Sequence, residues 1–201
     1  MKITLIREDN ARTSVWSGGV SKEYYLFPPT ASYQGRDFSF RISVAQATSE
    51  GEAPYTNLPG ITRHLVMLEG VAHVFHQGRY DLVMHPYREI DVFDGGWPSS
   101  GKGKVTDLNL MVGAGYHGVM TVIDKGGPLP VALLCETCRK VYSHTAFFNG
   151  SGNPSLVFST GEVLHLSPGD LVMVEEGESG DTAEVTLNGA KLVRMDVCCT
   201  Q

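Results

Sequence analysis

Turn residues interrupt this sequence so often that a long helix has no room to form. The chain holds 23 Gly and 10 Pro among 201 residues, and between them run short apolar stretches with no sustained 3.6-residue period. Residues 63–70 form one such stretch. It is followed by residues 71–76, a turn near Gln77-Gly78, residues 81–84, and a further strand reaching Phe93-Asp94-Gly95-Gly96. A second region repeats this order: residues 145–148, the turn Asn149-Gly150-Ser151-Gly152-Asn153, residues 156–158, the turn Thr160-Gly161, residues 163–166, the turn Ser167-Pro168-Gly169-Asp170, and residues 171–174. Two copies of strand, Gly turn, short strand, turn and strand predict an all-β sandwich or barrel. The best helical candidates, residues 22–26 and 86–90, amount to a turn or two each.

The length fits one large domain or two small fused ones. Hydrophobic residues make up 42% of the chain and charged residues 19%, which excludes a disordered or collagen-like polymer. The net charge is −6 and no basic stripe is present, so no nucleic-acid partner is expected, because phosphates require a concentrated cationic face. No apolar run approaches a membrane span, and residues 3–6 are the only apolar run before Arg7, Glu8 and Asp9. No membrane partner is expected, and the expected location is cytoplasmic.

Four cysteines fall late in the chain, in Cys135-Glu136-Thr137-Cys138 and Cys198-Cys199. The first pair has zinc-knuckle spacing, but the adjacent second pair is poorly shaped to complete a four-ligand site. Residues 131–134 and Val141-Tyr142 flank the first pair like strand, and in an extended strand Cys135 and Cys138 point to opposite faces. The expectation is therefore four small, buried or half-buried side chains with no metal.

Several blocks carry a resemblance. They are Trp16-Ser17-Gly18-Gly19-Val20-Ser21-Lys22-Glu23, Phe38-Ser39-Phe40-Arg41-Ile42-Ser43-Val44-Ala45, Leu58-Pro59-Gly60-Ile61-Thr62-Arg63-His64-Leu65, Val92-Phe93-Asp94-Gly95 and Thr106-Asp107-Leu108-Asn109-Leu110-Met111. In order and spacing they resemble the HutD/Ves family of small bacterial cupin proteins across residues 10–112. Beyond residue 112 only a general cupin pattern persists. The resemblance implies a bicupin, two jelly-roll β-barrels of the RmlC-like type in one compact chain, with halves near residues 1–112 and 113–201. It also implies an association with histidine utilisation or stress response and no established catalytic activity. The chain departs from the family at Phe40, where a Trp is frequent, and at Glu52-Ala53-Pro54-Tyr55-Thr56.

The same blocks suggest a binding site. In an extended segment 38–45, Arg41, Ser43 and Ala45 share a face opposite Phe40, Ile42 and Val44. A guanidinium on a barrel lumen requires an anionic partner or ligand. Asp107 and Asn109 share a face of their own strand, and Asp107 is the expected partner of Arg41. That pair is either a purely internal ion pair or part of a ligand site. Arg63 stands among Ile61, Leu65 and Met67, where it either snorkels to solvent or offers a bidentate fork to a carboxylate. Its place in the Pro-Gly-x-x-Arg block of the resemblance favours the second. Trp16 walls the pocket or packs in the core. With Glu23, Ser43 and His64 these residues complete the expected ligand-binding set.

His73 and His76 are spaced to opposite faces of a strand, so the His-x-His pair of metal-binding cupins is missing and neither metal nor cofactor is expected. Nucleophile-elbow, phosphate-loop and dinucleotide motifs are absent. The expected function is capture of a small anionic metabolite, such as a formylated or formimino glutamate from histidine breakdown, with a regulatory or buffering role. A cupin isomerase, hydrolase or oxygenase acting on a small acid and a structural or partner-binding module are the rival readings, and the sheets leave a homodimer open.

Overall fold

In the computed structural model, residues 1–178 and 180–200 are described. Among them the regular structure is nearly all strand. It runs β1 (Lys2–Ile6), a 3-10 turn (Glu8–Asn10), β2 (Arg12–Trp16), β3 (Gly19–Phe27), β4 (Phe40–Ala47), β5 (Glu52–Pro54), β6 (Thr62–Glu69), β7 (Ala72–His76), β8 (Tyr80–Met84), β9 (Ile90–Asp94), β10 (Ser99–Lys102) and β11 (Thr106–Val112). It continues with β12 (Tyr116–Ile123), β13 (Gly127–Pro130), β14 (His144–Asn149), β15 (Ser155–Phe158), β16 (Val163–His165), β17 (Leu171–Glu175), β18 (Thr182–Thr186) and β19 (Leu192–Cys199). Among the described residues no helix is long and apolar enough to cross a membrane. The two short helical candidates resolve otherwise. Residues 22–26 lie inside β3, where Tyr24 and Tyr25 suit a pleated surface, and residues 86–90 form a turn entering β9.

The chain divides into two compact units, Ala11–Ala114 and Met1–Asn10 with Gly115–Gln201. The N-terminal segment joins the second unit because β1 pairs antiparallel with β17 from Lys2–Glu175 to Ile6–Leu171. In the first unit one sheet has the order β2-β3-β4-β11-β6-β9 and the other β5-β10-β7-β8. In the second the orders are β1-β17-β14-β19-β12 and β13-β18-β15-β16. Read from β4 and from β12, the two are one eight-stranded plan used twice: each strand from β4 to β11 has a counterpart eight places on, with the same neighbours. Two four-stranded sheets laid out this way are a jelly roll, and the units differ in their extra edge strands.

Each unit has its own apolar core. Leu65, Met67, Val74, Met84 and Phe93 fill one end of the first barrel. Phe147, Leu156, Phe158, Val172, Val185 and Leu192 fill the second, where β1 adds Ile3 and Leu5. The turns between strands need the conformations that Gly alone takes freely. Gly70, at φ 75° between β6 and β7, sits where a Cβ would strike the Lys104 carbonyl oxygen.

One expectation is corrected here. Cys135 and Cys138 are not on an extended strand. They begin and end a tight turn in the β13–β14 connection, where the Cys138 backbone N–H donates to Cys135 Sγ at 3.4 Å and the Arg139 N–H to the Cys135 carbonyl oxygen at 2.9 Å. The turn brings both thiols to one side, and Cys198 of β19 meets them.

Candidate functional site

Three adjacent strands form the floor of a cavity of about 540 Å³ within the first unit. Their registers align side chains in rows: Arg41, Met111 and Arg63; then Ser43, Asn109 and Leu65; then Ala45, Asp107 and Met67. Cross-strand partners project to the same face. Two arginines, an amide, a hydroxyl and a carboxyl therefore converge on one lumen, and of the residues read from sequence Arg41, Ser43, Arg63, Asp107, Asn109 and Trp16 all line it.

Arg41 is held from several sides. Its Nε donates to Glu23 Oε2 at 2.7 Å, its Nη1 to Ser43 Oγ at 2.7 Å, and its Cζ lies 4.3 Å from the centre of the Tyr33 ring. The expected Arg41–Asp107 pair is thus replaced by Arg41–Glu23. Asp107 sits two rows away from Arg41. Glu23, directly opposite Ser43 next to a register shift in β3, is one row away. Glu23 is not a lining residue of the cavity and acts on it through Arg41.

Arg63 is buried, and its setting is different. Its Cζ stands 5.0 Å from the Tyr55 ring centre and 5.2 Å from that of Phe93. With the Asn109 amide turned to satisfy both groups, its carbonyl oxygen accepts from Arg63 Nε at 3.3 Å and also from Nη2. An amide carries no net charge, so the cation is solvated by this contact but not neutralised. Burial pulls the guanidinium below its ordinary pKa; Tyr55, Asp107 and Tyr33 oppose that, and Arg41 adds to it by like-charge repulsion. Asp107 is the nearby acid. Enclosure in the barrel raises its carboxyl to about 7 although Arg63 pulls the other way, so near neutrality it offsets only part of the positive charge.

Trp16 stands at the end of β2, 39% exposed, with its ring over Gly18, where a Cβ would collide with it. It forms wall more than core. His64 is also buried but alternates away from Arg63 along β6 and does not line the cavity. Tyr33 and Tyr55 were missed from sequence. Tyr55 falls in the 52–56 segment already marked as unusual, and Tyr33 lies in the loop between β3 and β4, which has no periodicity to reveal it.

The matching lumen of the second unit is chemically closed. Arg194 Nε and Nη2 donate to both carboxylate oxygens of Asp196 at 2.7 and 2.9 Å, and Nη1 donates to the Pro130 carbonyl oxygen at 2.6 Å. Asp196 also accepts from the Thr145 hydroxyl at 2.7 Å. This fork is spent on the protein itself.

One Ser-His-Asp arrangement does form. His76 lies 2.8 Å from Asp91 and 2.7 Å from Ser99 Oγ, while Tyr80 donates to the other Asp91 oxygen at 2.7 Å. The Ser99 hydroxyl proton has two acceptors in reach, His76 Nδ1 and the Trp97 carbonyl oxygen at 3.1 Å, and the direction of the His76–Ser99 bond follows the imidazole tautomer. His76 is buried between Phe93 and Trp97, and the network ties strands together. His73, its neighbour in sequence spacing, points to the other, half-buried face.

Paired jelly-roll barrels, one with an open lumen, define a cupin of the two-barrel class. The HutD family model matches residues 8–193, and the chain belongs to that family. Solved structures agree in fold. A conserved protein of unknown function from Pseudomonas aeruginosa PAO1 superposes with a TM-score of 0.80 at 16% identity, covering 98% of this chain and 99% of that one. HutD from Pseudomonas fluorescens SBW25 gives 0.77 at 17%, with the same coverage. Oxalate decarboxylase from Bacillus subtilis gives 0.63 at 8%, covering 96% of this chain and 76% of its own. No curated protein matches the sequence.

Proposed function

We propose that this HutD-family cupin captures a small carboxylate metabolite in the lumen of its first barrel, in the cytoplasm, to regulate or buffer an amino-acid catabolic pathway. The ligand class is a formylated or formimino glutamate from histidine breakdown. One observation carries the reading: Arg63 is buried against two aromatic rings and a neutral amide, and its nearest acid carries a raised pKa. A cation so placed is completed by an anion from outside. Arg41, already fixed by Glu23, Ser43 and Tyr33, adds a second fork in the same cavity at little further ordering entropy. The volume, about 540 Å³, lies in the range of small-metabolite sites. HutD from P. fluorescens was solved in a formate condition, and formate carries the smallest group this site would hold.

Titration calorimetry with formate, glutamate and N-formylglutamate tests the proposal. Saturable one-to-one binding of N-formylglutamate, tighter than formate, is expected. Failure of every carboxylate to bind or to raise the melting temperature removes it.

A hydrolytic reading has one observation in its favour, since a carboxyl raised to about 7 in a cavity is poised to move protons. Release of formate from N-formylglutamate, lost in Asp107→Asn, would establish it in place of simple capture.

A further inference from the structure

The β13–β14 connection, residues 131–143, contains no strand and hangs on a small hairpin. An isolated bridge joins Leu134 to Val141, the Cys135 N–H donates to the Lys140 carbonyl oxygen at 2.8 Å, and the Tyr142 N–H donates to that of Leu133 at 2.9 Å. At its tip the turn is wound tightly enough to place Arg139 at φ 57°, a left-handed conformation that a non-Gly residue holds only when its surroundings require it. The result puts Cys135 and Cys138 side by side with a backbone N–H aimed at Cys135 Sγ. Tyr142 adds a side-chain hydrogen bond to the same sulfur.

A third thiol comes from far along the chain. Cys198, buried on β19, brings its Sγ to 2.7 Å from that of Cys138, and all three sulfurs lie within 4.8 Å of one another. The apolar cluster around the thiols is small: Cys135, Tyr142 and Cys198 are its buried members, with Val119 and Leu133 partly buried against them. His117 is the register partner of Cys198 across β12 and β19. Directly opposed residues project to one face with Cβ atoms about 5 Å apart, so His117 stands on the thiol side of the sheet.

We infer that Cys135, Cys138 and Cys198 form a structural zinc site whose fourth position faces His117. Three thiolates and an imidazole are a common closed zinc set, and the Cys-x-x-Cys turn is its usual first half. A tetrahedral ion with Zn–S bonds near 2.3 Å holds sulfurs about 3.8 Å apart, a spacing these side chains reach by small rotations. A disulfide is the competing chemistry. It would use two of the three sulfurs and leave the third, with the hydrogen bonds aimed at Cys135, unexplained. Binding releases the thiol protons to solvent and oxidises nothing. The ion would fasten the tip of the connection to β19, so its binding energy would be folding energy for this part of the barrel.

Elemental analysis of the full chain, purified without chelator, should give one zinc per chain. Reduced, metal-stripped protein titrated with cobalt(II) should develop thiolate-to-cobalt charge-transfer bands and tetrahedral visible bands at one equivalent. Zinc should slow modification of three of the four thiols at least tenfold, and chelator should reverse the effect. Cys138→Ser should lose the cobalt bands; if it fails to fold, the unmutated protein still decides through the titration. Absence of the bands in reduced protein, or intact mass showing a Cys138–Cys198 disulfide in metal-free protein that zinc does not prevent on reoxidation, overturns the site.

Discussion

Asn109 turns its amide oxygen to the Arg63 guanidinium from the neighbouring strand, within reach of Nε at 3.3 Å and of Nη2. It solvates the cation but brings no counter-charge of its own. Asn109→Asp would put a fixed carboxylate where the metabolite is proposed to place its own. Calorimetry should show at least tenfold weaker N-formylglutamate binding with a melting temperature no lower than that of the parent. Unchanged affinity would move the ligand away from Arg63.

Arg63→Ala should weaken the same ligand roughly ten- to a hundredfold, through loss of charge-assisted contacts worth about 1.5–3 kcal/mol. At pH 6 Asp107 is mostly protonated, so the loss of Arg63 leaves no full charge stranded and the melting temperature should move little. Arg63→Lys keeps the charge, loses the planar fork and should also bind weakly. A large drop in melting temperature with intact affinity would mark Arg63 as structural.

Arg194→Ala should behave in the opposite way. It strands Asp196, 2% exposed, and should destabilise the protein by about 3–5 kcal/mol without affecting carboxylate binding. Chemical denaturation of the two alanine variants side by side makes the comparison. Similar losses in both would contradict the distinction between an open and a closed lumen.

Asp107 gives the pH dependence a sign. Its folded pKa, about 7, lies above the ordinary 3.8, so the folded state keeps a proton that the unfolded chain gives up. Its contribution to stability is full below the ordinary value and fades as pH rises through about 7. Asp107→Asn should flatten that decline and melt higher than the parent at pH 8. Carboxylate affinity should be tighter at pH 6 than at pH 8, because ionised Asp107 competes for Arg63, and the variant should lose this slope. A parent affinity that rises with pH would reverse the assignment.

Glu23→Ala leaves Arg41, 5% exposed, without its carboxylate and should destabilise by about 3 kcal/mol. Glu23→Ala combined with Arg41→Met should recover much of the loss, as thermal denaturation would show. No recovery would mean that Glu23 acts through other contacts.

Much of this arrangement was legible in period-2 alternation. That Arg41 shares a face with Ser43, and Asp107 with Asn109, follows from strand geometry alone. What alternation does not carry is the distance between faces on different strands. Alternation alone pairs Asp107 with Arg41, both charged and inward, whereas the register puts them two rows apart and brings Glu23 closer beside a bulge. Of the aromatic rings over the arginines, Tyr55 comes from just past β5 and Tyr33 from an irregular loop, where no period exists, and only Phe93 lies within a strand. The thiol cluster was hidden for a related reason. Local residue preference suggested strand around Cys135, a turn won, and the third sulfur lies sixty positions away.

Aligning the two barrels from the first residue of β4 and of β12 sets Asp107 against Arg194, Asn109 against Asp196, Met111 against Cys198 and Arg41 against His117. The duplicated frame thus holds one motif in two states of completion. In one copy the cation and its counter-charge sit two residues apart on a single strand and answer each other. In the other the acid position is an amide, the cation stands on the next strand, and Asp107 with its raised pKa answers only part of its charge. The same frame therefore holds an arginine with its carboxylate in one barrel and an arginine with an amide in the other, so what separates an occupied fork from an available one is a handful of side chains and not the backbone plan.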